Sequence, residues 1–182
     1  MNKTQRKMQR LLITLLVAVP LFMVSVYLWN PFGALSYDPR QRIFGHATYL
    51  VPSRDMQPTV SPEQIVIVRA GYYRTNEPQR GDILIFINRE DGNAWIKRVV
   101  GLPGETISIE KAAVLINDRK LVEEYVAAEN SETDYSHQMP PMEIRQGQYF
   151  LLGDNRDNSV DSRMFGTVGR NELSGKVMWI LK

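Results

Sequence analysis

A lysine inside an apolar run is the first residue that asks for an explanation. Lys97 lies in Trp95-Ile96-Lys97-Arg98-Val99-Val100, a strand-like stretch in which a solvated ammonium would be out of place. Two kinds of chemistry suit such a lysine. Burial penalises its charged form and turns the amine into a general base, or the ammonium persists by pairing with a carboxylate. Ser53 and Asp55 are two positions apart, so in an extended segment both side chains point to one face and reach one reacting centre. Taken alone, Ser53 is an ordinary turn hydroxyl. The run Gly153–Arg163 holds Asp154, Ser159, Asp161 and Arg163. By itself it reads as an Asn/Asp/Gly-rich loop that bonds its own backbone. His46 and His137 have no motif around them and read as surface or loop residues, so a Ser-His-Asp triad has no support. The chain has no cysteine, which excludes thiolate catalysis, disulfides and Cys-based metal sites. No ligand cluster with metal spacing is present in the sequence, and no metal or other cofactor is expected.

These residues need a scaffold, and the sequence divides into an anchor and a β domain. Residues 11–29 run for 19 positions without a charge, enough for a helix of roughly 28 Å, close to the hydrocarbon thickness of a bilayer. Pro20 in mid-run is tolerated in a membrane helix as a kink, and Tyr27 and Trp29 suit the headgroup level at its far end. Lys3, Arg6, Lys7 and Arg10 precede the run, which predicts a cytoplasmic N-terminus and an extracytoplasmic remainder. The run is too long for a cleavable signal, and Asn30-Pro31-Phe32-Gly33-Ala34 after it is not a clear small-x-small site. Beyond residue 10 the chain is net acidic by two charges, so nucleic acid is not an expected partner. The boundaries read as a basic segment 1–10, a membrane helix 11–29, a linker 30–42 and a β domain 43–182.

Within the β domain, Gly and Pro punctuate short β-rich runs: Thr48–Pro52, Gln64–Arg69, Asp82–Asn88, Trp95–Val100, Thr106–Ile109, Val114–Ile116, Gln148–Leu152 and Gly175–Leu181. Asp91-Gly92 marks a hairpin and Asn117-Asp118 a further turn. No stretch after residue 30 keeps a helical period over three turns. The fold class is therefore mostly β, with antiparallel sheets that fold on each other or close partly into a barrel. The polar, proline-containing stretch 127–146 reads as a long surface loop.

Three segments resemble the boxes of bacterial type I signal peptidases (leader peptidases), membrane-bound serine endopeptidases of the Ser/Lys type. They are Pro52–Thr59, the stretch from Arg80-Gly81-Asp82-Ile83 to Trp95–Gly104, and Gly153–Arg163 with Gly166, in family order behind one N-terminal anchor. The resemblance, which covers residues 47–182, implies two antiparallel sheets with the site near the membrane face. It also implies a single-pass protein of the bacterial inner (cytoplasmic) membrane that acts on signal peptides of exported pre-proteins. Lys97 then matches the general base, Ser53 the serine whose hydroxyl helps bind the oxyanion, and Ser159 the residue that orients the lysine. Asp161 and Arg163 resemble a structural ion pair behind the site, with Asp154 and Arg98 as supporting positions. The family pattern is Pro-Ser-x-Ser-Met-x-Pro-Thr, so Asp55 stands at the position of the nucleophilic serine.

That departure changes the chemistry. A carboxylate has no hydroxyl proton for the lysine to remove, and its acyl adduct would be a mixed anhydride that collapses more readily than the amide breaks. An opposite charge within about 4–6 Å favours an ionised lysine, and a negative charge beside the oxyanion site opposes the charge developing there. Recruiting Ser53 as nucleophile would vacate the oxyanion role. Water activation in the manner of an aspartic protease needs a second carboxylate, for which Asp154 and Asp161 are the motif candidates. Three readings follow: a catalytically impaired membrane protein that binds signal peptides, with secretion machinery or an active paralogue as further partners; a working peptidase with an altered mechanism; or a deliberate replacement of the nucleophile.

Overall fold

The computed structural model describes residues 2–88 and 91–181. Helix α1 spans Lys3–Trp29, so most of the basic segment forms its first turns rather than a separate tail. Asn2 caps it: its side chain accepts from the Gln5 N–H while the Gln5 side chain accepts from the Asn2 N–H, each at 2.9 Å. These bonds satisfy two of the donors that every helix start leaves open. None of the residues in α1 is buried, and the helix is long and apolar enough to cross a membrane.

The stretch expected as a linker, 30–42, leads into a short helix, α2 (Pro39–Phe44). Asp38 caps α2 and Pro39 opens it. The Arg42 guanidinium lies 5.1 Å from the ring centre of Tyr27 and 4.5 Å from that of Tyr37, while the Tyr27 hydroxyl donates to the Tyr37 carbonyl at 3.1 Å. The end of α1 is thus tied to α2 through aromatic faces.

Eleven strands follow among the described residues: β1 His46–Leu50, β2 Ile65–Ala70, β3 Ile83–Ile87, β4 Ala94–Gly101, β5 Thr106–Glu110, β6 Ala113–Ile116, β7 Arg119–Lys120, β8 Gln138–Glu143, β9 Gln148–Leu152, β10 Val168–Gly169 and β11 Leu173–Leu181. They make two antiparallel sheets, ordered β1-β2-β11-β3-β4-β9-β10 and β7-β6-β5-β8. The eight expected runs all form strands, and the mostly β, two-sheet expectation agrees with the structure. Leu84 and Phe86 enter one core cluster and Ile85 another, so β3 is covered on both faces and reads as a continuous apolar run. The smaller sheet closes over Val100, Phe150 and Leu152 with Ile107, Ile109 and Val114. Asn117 and Asp118 turn β6 into β7 at φ of 49° and 62°, the left-handed pair that a two-residue hairpin requires.

The stretch 127–146 is the main difference from the sequence reading. Residues 138–143 pair with β5 as an edge strand instead of remaining a loop. Met142 faces Ile107 and Met139 faces Ile109, so Pro140 and Pro141 bulge out opposite Ser108. Proline lacks the ladder donor and is accommodated at an edge or a bulge, and here both conditions hold.

Candidate active site

The first box does not stay extended through Asp55. Residues 55–59 form a turn, with Gln57 N–H donating to the Arg54 carbonyl at 3.2 Å and Val60 N–H to the Met56 carbonyl at 2.8 Å. Met56 and Val60 are fully buried beside Val66, Val68, Ile85 and Ile96, which pins the turn to the sheet. Ser53 and Asp55 still meet, because the turn folds one side chain onto the other.

At the centre, the Asp55 carboxylate accepts from two donors. One oxygen takes the Lys97 ammonium and the other takes the Ser53 hydroxyl, both in short contacts. Lys97 Nζ also donates to the Ile96 carbonyl at 3.0 Å and lies 5.4 Å from the ring centre of Trp95. The Lys97 side chain is 2% exposed and the Asp55 side chain 14%, so this ion pair sits at the floor of a groove rather than on a surface. The groove encloses about 390 Å³ and is walled by Val51, Ile85, Trp95, Ile96 and Val160. Of the two fates open to a lysine in an apolar strand, the structure realises pairing with a carboxylate.

The third box holds the main chain of Asp55. Asn155 N–H donates to the Asp55 carbonyl at 3.0 Å. Gly153 brings its Cα against both that carbonyl and the Ser159 hydroxyl, where any β-carbon would collide. Ser159 is buried, and its hydroxyl oxygen has no hydrogen-bond partner among the described residues; it is not bonded to Lys97. Behind this loop lie two buried ion pairs. Arg98 grips Asp154 with two bonds of 2.8 and 2.6 Å, and Arg163 grips Asp161 with two of 2.8 and 2.7 Å. Such forked pairs fix orientation as well as charge. Asp161 also accepts from the Gly153 N–H at 3.2 Å and caps the short helix Ser162–Phe165, so it ties both ends of the loop together. His46 and His137 lie apart from this constellation; among the described residues each ring's hydrogen-bond partner is a backbone carbonyl.

The sequence reading missed the segment that folds over the box. Tyr125 lies flat against Arg98, 3.9 Å from ring centre to guanidinium carbon, and its hydroxyl donates to Glu123 at 2.6 Å. Burial, then the negative charge of Glu123, pushes the Tyr125 hydroxyl well above its ordinary range. Glu123 in turn pairs with Arg156 at 2.5 Å, and Arg156 Nε donates to the Gly153 carbonyl at 3.1 Å. Burial alone would lower the pKa of Arg156, and the Glu123 carboxylate more than offsets it. The Asn130 amide donates to the Gln57 carbonyl at 3.2 Å, and the Tyr135 hydroxyl to the Ser159 carbonyl at 3.0 Å. No local signal in a polar stretch marks these residues, since their partners are distant in sequence.

Residues 7–182 match the family described as signal peptidase, peptidase S26. This chain belongs to that family. It is 34% identical over 142 residues to a probable signal peptidase I-2 of Synechocystis, covering 74% of this chain and 62% of that protein. It is 37% identical over 145 residues to a signal peptidase I of Leptolyngbya laminosa, covering 75% and 69%. The matched stretch therefore spans just under two thirds of the first relative and just over two thirds of the second. Among solved structures, a signal peptidase I from Enterococcus faecalis superposes with a TM-score of 0.51 at 34% identity, covering 57% of this chain and 98% of that one. The signal peptidase resemblance drawn from the three boxes agrees with these matches.

Proposed function

We propose that this chain is a membrane-anchored signal peptidase homologue that receives signal peptides of exported pre-proteins, and that Asp55 blocks the Ser/Lys chemistry. The observation that carries this reading is the pair of donors on one carboxylate. Lys97, at the position of the base, and Ser53, at the position of the oxyanion donor, both direct a proton at Asp55. A base must be free to take a proton and an oxyanion donor must face the developing charge; here both are occupied by a group that has no proton to give. The groove beside them has apolar walls suited to small side chains of a peptide added as a strand. Asp161, Arg163, Asp154 and Arg98 keep the supporting roles that the resemblance gives them, whereas the hydroxyl of Ser159, the position that would orient Lys97, is left without a partner among the described residues while Asp55 holds the ammonium. Membrane anchorage by α1, with Lys3–Arg10 on the cytoplasmic side, is part of this reading, as are secretion machinery or an active paralogue as partners.

The test is cleavage of a pre-protein by detergent-solubilised parent, Asp55→Ser, and Asp55→Ser with Lys97→Ala. Reversion deletes the charge, supplies the hydroxyl and frees Lys97 together. Parts that act as a unit are non-additive, so a gain on the order of a thousandfold or more is expected, lost again in the double variant. Equal cleavage by the parent would refute the blocked chemistry. A folded but inactive serine form would refute the claim that the rest of the machinery is intact.

A further inference from the structure

Apart from the groove, the cavity that invites a ligand lies where α1 joins the β domain. It encloses about 420 Å³ between Pro31-Phe32 on one side and Arg69, Tyr72 and Arg74 on the other. Two glycines make this junction close. The Phe32 carbonyl presses on the Cα of Gly71, and the Arg74 side chain lies on the Cα of Gly33, at positions with φ of 61° and 62° that side chains rarely adopt. The chain leaving α1 is therefore set directly against the 3-10 turn Tyr72–Arg74. That contact fixes the depth of both arginines relative to Trp29, the last residue of the helix.

The charges here are unbalanced. Arg69 stacks on Tyr72, with its guanidinium carbon 5.5 Å from the ring centre, and Arg74 is exposed. Neither guanidinium has a carboxylate or hydrogen-bond partner among the described residues. The neighbouring carboxylates are already engaged: Asp82 holds Lys176 at 2.6 Å, and Glu77 holds Arg170. Lys176 faces Arg69 across the sheet, but its ammonium is already matched by Asp82. The unmatched charge is therefore that of the two exposed arginines, which line one cavity with no carboxylate paired to either among the described residues.

We propose that Arg69 and Arg74 hold the phosphate of an anionic phospholipid headgroup in this cavity. The assignment rests on the reading of α1 as a membrane span. A span that ends at Trp29 puts Pro31 and Phe32, which line the cavity, at headgroup depth. A planar guanidinium fork matches phosphate oxygens, and two forks exceed the single charge of a phosphodiester. The lipid would brace the β domain at a fixed height over the membrane and so set how far the groove stands from an incoming signal peptide.

The experiment uses the full chain in mild detergent, titrated with phosphatidylglycerol or phosphatidylcholine and read by native mass spectrometry. The variants are Arg69→Gln with Arg74→Gln, and, as a control on β7, Arg119→Gln with Lys120→Gln. Basic side chains near an anionic surface each contribute about fivefold, so the first pair should bind phosphatidylglycerol roughly 30-fold more weakly, with phosphatidylcholine and the control pair unchanged. Equal binding of phosphatidylglycerol by the first pair and the parent would overturn the site. Displacement of the lipid by millimolar inorganic phosphate would overturn the choice of a lipid over a free anion. Alkaline extraction of membranes, run in parallel, separates the two failures: protein released into the soluble fraction defeats the anchor, whereas retained protein without lipid preference defeats only the headgroup site.

Discussion

Replacing Lys97 with methionine isolates the ion pair at the groove floor. Methionine keeps a flexible apolar stem of similar length, so the change removes charge and donors with little loss of packing. What remains is the Asp55 carboxylate, 14% exposed, with the Ser53 hydroxyl as its one remaining donor among the described residues. Breaking a buried pair by removing one partner costs about 3–5 kcal/mol. Asp55 opens partly to the groove, so water relieves some of this, and about 3 kcal/mol is the expected loss. For a domain of this size each kcal/mol lowers the melting temperature by about 2–4 °C, giving a fall of roughly 6–12 °C. The pair itself contributes little beyond its own desolvation, so Asp55→Ala combined with Lys97→Met should return close to the parent. Thermal unfolding in detergent, followed by tryptophan fluorescence, measures all four corners of the cycle. A loss under about 1 kcal/mol for Lys97→Met would show that the carboxylate is better solvated than its burial indicates. Additive losses in the double variant would refute the direct coupling of the two side chains.

Three further outcomes are expected. Burial would raise the carboxyl of Asp157, but the hydroxyls of Ser136 and Thr133 and the N–H groups of Glu132 and Thr133 outweigh it and hold it at about 2. Its folded value lies below the unfolded one, so its stabilisation is present above about pH 4 and fades as pH falls through about 2. Asp157→Asn should cost about 1 kcal/mol at neutral pH, and the difference from the parent should vanish in acid unfolding curves. Tyr125→Phe keeps the ring on Arg98 and should cost about 1 kcal/mol, whereas Tyr125→Ala should cost about 3 kcal/mol or more; similar losses in urea titrations would mean that the hydroxyl rather than the ring matters. Protease added to spheroplasts should digest the β domain and spare Lys3–Arg10, and full protection of the domain would reverse the assigned orientation.

How much of this was legible depends on the range of each interaction. Strand runs such as Ile83–Ile87 were legible because both faces are covered and Gly or Pro bounds them. The edge strand Gln138–Glu143 was not, because its pattern is carried by Met139 and Met142 alone, on either side of a proline bulge. The turn at Lys111-Ala112 has φ of 48° and 63° yet holds no Gly, Asn or Asp, so tertiary pairing of β5 with β6 imposes it against local preference. The insertion of β11 between β2 and β3 leaves no local trace either. The site divides in the same way. The juxtaposition of Asp55 with Lys97 followed from the boxes, but the hold on Asp55 is made by the backbone. Its carbonyl is fixed by Asn155 N–H and by the bare Cα of Gly153, and its neighbour Met56 by the core. None of these contacts uses the carboxylate. Position 55 is therefore positioned independently of what its side chain is. The frame that now presents a carboxylate to Lys97 would present a hydroxyl in the same place, which is why a single reversion is expected to restore nucleophile and base together.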